Sequence, residues 1–142
     1  MQKHIRDRYT AEASSCSHLS CGSNLDILQI ARGETILDLG CGRGTETLEA
    51  ARLAGSGGLA VGLDLTEAMV EKAGQNASDQ GVSNARFVCG DIECLPFEDE
   101  TFDAVISNCV INHARDKSKV YAEIYRVLRP GGRFVVSDAV TK

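Results

Sequence analysis

The sequence predicts an α/β protein: an open, mostly parallel sheet with helices on both faces. Three observations carry that prediction. Five short runs are almost continuously apolar and rich in Val, Ile and Leu, the pattern of strands buried on both faces. Amphipathic helical stretches lie between them, and alternation of strand with helix favours a parallel sheet. A glycine-rich turn follows the first run directly.

In chain order, TILDLG (35–40) is the first strand, and TETLEAARLA (45–54) the first helix. Thr45 is placed to cap that helix, Gly55 ends it, and Leu48, Ala51 and Leu53 fall toward one side. GLAVGLDL (58–65) is the second strand; the helix over 66–80 puts Met69, Val70 and Ala73 on one stripe and stops at Gly81. ARFVCGD (85–91) and FDAVISN (102–108) are the third and fourth strands. A helix over 117–128 follows, with Ser118 as its cap and Val120, Ile124, Val127 and Leu128 inward. Pro130-Gly131-Gly132 ends it, and RFVVSDA (133–139) is the fifth strand. Residues 1–33 read as a short N-terminal helix and a Ser/Gly-rich, cysteine-containing loop lying over the site, residues 34–142 as the sheet domain.

Composition narrows the function. A chain of 142 residues, 43% hydrophobic and 25% charged, is about one globular domain. No apolar run approaches the roughly 20 residues of a membrane helix, and the polar start MQKHIRDRYTAEA lacks the apolar centre of a signal peptide. These point to a cytoplasmic protein without a membrane partner. A net charge of −5 and the absence of a basic stripe argue against nucleic acid. Six cysteines, Cys16, Cys21, Cys41, Cys89, Cys94 and Cys109, include no CxxC pair. The shared spacing of 16/21 and 89/94 is no recognised zinc pattern, so no structural zinc is expected.

The glycine turn DLGCGRGTET (38–47) sits at a strand's carboxyl end, where open α/β sheets bind ligands. Its spacing is GxGxG (Gly40, Gly42, Gly44), not the GxGxxG of dinucleotide sites. Asp64 ends the second strand, where an acid accepts ribose hydroxyls. Gly90-Asp91-Ile92 ends the third, pairing an acid with an apolar residue suited to an adenine.

Together these stretches resemble the class I S-adenosylmethionine (SAM)-dependent methyltransferases, over residues 34–139. DLGCGRG is similar to that family's first motif, GLDLTEAMVEKA to its second-strand motif, and GDIECLPFEDETFDAVISN and YRVLRPGGRFVVSD to its later ones. The resemblance implies a Rossmann-like fold with strand order 3-2-1-4-5 and SAM as cofactor. It implies that Asp38 and the turn Gly40-Cys41-Gly42-Arg43-Gly44 hold the amino-acid end of SAM. By the same resemblance Asp64 takes the ribose, Leu65, Asp91 and Ile92 the adenine, and Asn108 lies near the methionine part. The family's last two strands would follow Lys142, which leaves the strand at 133–139 on an open edge and favours a homodimer through it.

After the fourth strand comes SNCVIN rather than the Asn-Pro-Pro-aromatic motif of many amino-group methyltransferases. SNCVIN with Asp116-Lys117, and CGSNLDILQIARGETILDLG (21–40), resemble the arsenite methyltransferases. That resemblance implies As(III) held by Cys21 and Cys109, with Cys16 a looser match to a third ligand. Soft As(III) suits thiolates. His113 stands where that family usually has an apolar residue. LPFEDETFDAVIS and YRVLRPGG equally resemble the quinone-ring C-methyltransferases, which would make Cys109 a packing residue. The remaining alternative is a SAM-binding fragment without turnover.

Overall fold

The computed structural model describes residues 29–41, 43–108 and 114–137. Cys16, Cys21, Gly42, Cys109 and His113 lie outside the described residues, as does nearly all of the 1–33 segment. Element order is β1 (Thr35–Leu39), α1 (Thr45–Ala54), β2 (Leu59–Asp64), α2 (Glu67–Asp79), β3 (Ala85–Cys89), β4 (Phe102–Asn108), α3 (Lys117–Val127) and β5 (Leu128–Ser137). The five strands form one sheet in the order β3-β2-β1-β4-β5. Every pairing is parallel. The expected strand order therefore holds. Among the described residues, no helix is long and apolar enough to cross a membrane.

Both faces of the sheet are covered, which is why the strands read as unbroken apolar runs. Leu37, Leu39, Leu63, Val105, Phe134 and Val136 face α3, whose Val120, Ile124 and Val127 are fully buried. Tyr121 and Tyr125 of α3 set their rings 6.0 Å and 5.9 Å from that of Phe134. On the other face Ile36, Ala60, Ala104, Ile106 and Val135 meet the small side chains Ala50, Ala51 and Ala54 of α1. This alanine face lets α1 lie close to the sheet, and Leu53 is left 40% exposed rather than inward as expected. On α2 the buried residues are Ala73 and Ala77; Met69 is 37% exposed and Val70 half-buried, so the expected stripe is displaced toward small side chains.

The helix ends also differ from expectation. Gly44, at φ 86°, is the N-cap of α1, without a side-chain cap, and Thr45 is already helical. A Cβ on Gly44 would come within 3.0 Å of Ala73 and of the Phe87 ring, so both conformation and space demand glycine. At α3 the cap is Asp116, whose carboxylate accepts the Lys119 N–H, and not Ser118. Gly55 and Gly81, both at positive φ, end α1 and α2 as expected. Helix α3 passes straight into β5 at Leu128, and Arg129-Pro130-Gly131-Gly132 form an irregularity in the β4–β5 pairing rather than a preceding loop.

Two side chains of α3 fasten the segment between β3 and β4. Glu123 Oε1 accepts the Leu95 N–H at 2.7 Å. Arg126 donates to the carbonyls of Phe97 (2.8 Å) and Leu95 (3.0 Å) and to Asp99 (2.8 Å). Those carbonyls are thereby paired where the fold half-buries them.

Candidate functional site

The carboxyl edge of the sheet is organised by one carbonyl. Leu63 C=O, near the end of β2, accepts the N–H groups of both Gly40 (2.7 Å) and Cys41 (2.9 Å). The turn after β1 is thus bonded to β2, with Gly40 at φ 70°. Gly90 N–H, past the end of β3, in turn donates to Asp64 C=O at 2.9 Å. Asn76 of α2 donates to Arg43 C=O at 3.0 Å and ties the turn to the next helix. The N–H groups of Gly40 and Cys41 therefore serve the scaffold.

Beside this edge lies a cavity of about 390 Å³, within the range of small-molecule sites. Gly40, Asp64, Leu65, Asp91 and Ile92, all expected at a ligand, line it together with Gly90. Glu93, Ala114 and Arg115 complete the wall; sequence reasoning did not single them out. An acid two residues beyond Asp91, in the same loop, was the available signal for Glu93. Leu65 is 71% exposed at the cavity wall. Asp64 Oδ1 accepts from Thr66 N (3.2 Å) and Thr66 Oγ1 (3.3 Å), which orients its carboxylate at the start of α2. Asp91 Oδ1 is fixed by the Glu93 N–H at 2.9 Å.

Asp38, Cys41 and Gly44 do not line the cavity; Asp38 is buried in β1, and Cys41 and Gly44 are buried in the turn after it. Thr47 Oγ1 donates to Asp38 Oδ2 at 2.7 Å. Burial pushes the Asp38 carboxyl up to about 7 despite that hydrogen bond, and the nearby Glu46 and Asp64 add to the effect. Burial, with Asp38 and Asp64 nearby, likewise pushes the Cys41 thiol up to about 12. Cys41 is a protonated thiol at neutral pH. Gly62 of β2, also not anticipated, makes the arrangement possible. A Cβ there would sit 2.9 Å from Cys41 Cβ, the Phe87 ring and Thr47 Oγ1. Asn108 is the last residue of β4.

The comparisons with known proteins agree with this architecture. Residues 30–142 match the family described as a methyltransferase domain. The chain belongs to that family. It is 44% identical over 122 residues to an arsenite methyltransferase of Halobacterium salinarum, covering 86% of this chain and 31% of that protein. It is 38% identical over 110 residues to the ubiquinone/menaquinone biosynthesis C-methyltransferase UbiE of Marinomonas, covering 77% of this chain and 44% of that one. Among solved structures, CrArsM, an arsenic(III) S-adenosylmethionine methyltransferase from Chlamydomonas reinhardtii, superposes with a TM-score of 0.69 at 44% identity. That match covers 74% of this chain and 39% of CrArsM. The chain thus spans less than half the length of these relatives. Its sheet is the Rossmann-like fold of the SAM-dependent methyltransferases.

Asp38 gives a prediction with a definite sign. Its folded-state value of about 7 lies above the usual 3.8, so the folded chain holds that proton more tightly than the unfolded one. The resulting stability is full below about pH 4 and is lost as the pH rises through about 7. Asp38→Asn keeps an acceptor for Thr47 without the charge. In urea unfolding it should gain stability over the parent as pH rises from about 5 to about 8. A pH-independent difference would contradict the buried-acid assignment.

Proposed function

We propose that this chain carries the SAM-binding part of a methyltransferase whose acceptor is As(III) held by cysteine thiolates. The observation that supports the cofactor most is the grouping of Asp64, Leu65, Asp91 and Ile92 around one cavity. The residues fit SAM: an acid at the end of β2 for the ribose, and an acid with an isoleucine after β3 for the adenine. In this reading Gly40, Cys41, Gly42 and Gly44 shape the turn beside the cofactor, Asp38 anchors that turn from below through Thr47 at the amino-acid end of the cofactor, and Asn108 serves its methionine part. When bound, SAM supplies an electrophilic sulfonium methyl group.

The acceptor reading is supported by the 44% identity to the arsenite methyltransferase and to CrArsM. Cys21 and Cys109 are its thiolate ligands, with Cys16 as a third. Thiolates are soft donors matched to soft As(III), and together they leave the arsenic lone pair to one side as the nucleophile. That nucleophile carries no proton, so the chain needs no general base and acts by positioning. Residues 1–33 then bring cysteines to the site of residues 34–142. Reduced thiols are required, which a cytoplasmic location supplies.

A second reading, C-methylation of a small quinone-type molecule, is favoured by the 38% identity to UbiE. A third is a SAM-binding fragment without turnover. An arsenite titration of the reduced protein, followed by As–thiolate absorbance with and without SAM, separates the first from the second, and formation of methylated arsenic separates it from the third. Saturation at one arsenic per chain, abolished in Cys21→Ser and in Cys109→Ser, is the expected result. Absence of saturable binding contradicts the arsenite reading.

The same proposal includes pairing of two chains. Among the described residues β5 is hydrogen-bonded to β4 alone and forms one edge of the sheet, the arrangement that invites a second strand. Sedimentation equilibrium is expected to show dimers with rising protein concentration; a monomer throughout contradicts the pairing.

A further inference from the structure

We propose that Glu93 is a positioning residue whose carboxylate latches the two walls of the cavity together and so sets how tightly an adenosyl ligand is held. One wall is the loop after β3, with Asp91, Ile92 and Glu93; the other is Ala114 and Arg115, ahead of α3. Glu93 Oε2 accepts the N–H groups of Arg115 at 2.8 Å and of Asp116 at 3.2 Å. Its own N–H donates to Asp91 Oδ1 at 2.9 Å. One residue therefore joins the acid at the end of one wall to the backbone of the other.

The placement explains why an acid is needed. Asp116 is the N-cap of α3, so the Glu93 carboxylate sits at the positive end of that helix. Backbone N–H groups given to a carboxylate form stronger bonds than those given to a neutral acceptor. Elsewhere α3 is already fastened to the 95–99 segment, through Glu123 and Arg126. Those contacts hold the helix body, whereas Glu93 closes the end that borders the cavity. Removing it leaves the fold anchored but frees the Ala114–Arg115 wall.

This inference rests on the adenosyl reading of the cavity, and its test keeps the two apart. S-adenosylhomocysteine is titrated calorimetrically into the full chain and into the Glu93→Gln and Glu93→Ala variants. Each is paired with a thermal melt and with amide hydrogen exchange at Arg115 and Asp116. The parent is expected to bind, with ligand slowing exchange at both amides. Glu93→Ala should lose about tenfold in affinity and show fast exchange at both amides with or without ligand, at a nearly unchanged melting temperature. Glu93→Gln, which keeps one acceptor, should fall between, and it decides the matter if the alanine variant does not fold. Unchanged affinity overturns the latch. So does weakened affinity with the ligand-induced protection of Arg115 and Asp116 retained, which would make Glu93 a direct contact. Either result leaves the cavity reading standing, whereas a parent that binds no ligand overturns both.

Discussion

The site depends on one acceptor, the carbonyl of Leu63, which receives two N–H groups from the turn after β1. Strand pairing alone would place the ends of β1 and β2 side by side, with Leu39 opposite Leu63. The additional bonds to Gly40 and Cys41 fold the turn back over β2 rather than out into solvent. The β1–β2 register places Asp38 and Asp64, on neighbouring strands, at the same edge. Two carboxylates so close in a partly buried setting repel, and burial resolves the conflict by favouring the protonated form of Asp38. Asp64 lies at the wall of the cavity.

Glycine makes this closeness affordable in space. Gly62 leaves room for the Thr47 hydroxyl to reach Asp38, and Gly44 brings the turn against Ala73 and Phe87. Alanines on α1 do the same further along that face of the sheet. The result is a closely packed floor from which the loops after β2 and β3 rise to form the cavity. Function in this fold class resides in such loops, carried by a scaffold that many activities share.

Much of the scaffold could be read from the chain itself. All five strands and the helices between them were apparent, because strands covered on both faces leave a nearly continuous apolar signal, and the strand order followed from the family resemblance. Gly40, Asp64, Leu65, Asp91 and Ile92 also meet at one cavity as their strand-end positions suggested. What escaped was set by distant partners. Leu53 faces outward because alanines make the closer contact with the sheet. Asp116 rather than Ser118 caps α3 because its backbone is held there by Glu93, more than twenty residues away in the chain. Periodicity and local propensity contain no such information, so Glu93, Thr47 and Gly62 became apparent only once the strands were assembled.

The edge between β1, β2 and β3 is proposed as an adenosyl site anchored by the Asp64 carboxylate. A calorimetric titration of SAM into the chain and into Asp64→Ala tests it most directly. The account predicts one SAM per chain, and an affinity at least about tenfold weaker in Asp64→Ala with the melting temperature unchanged. Equal affinity in the two proteins would contradict it.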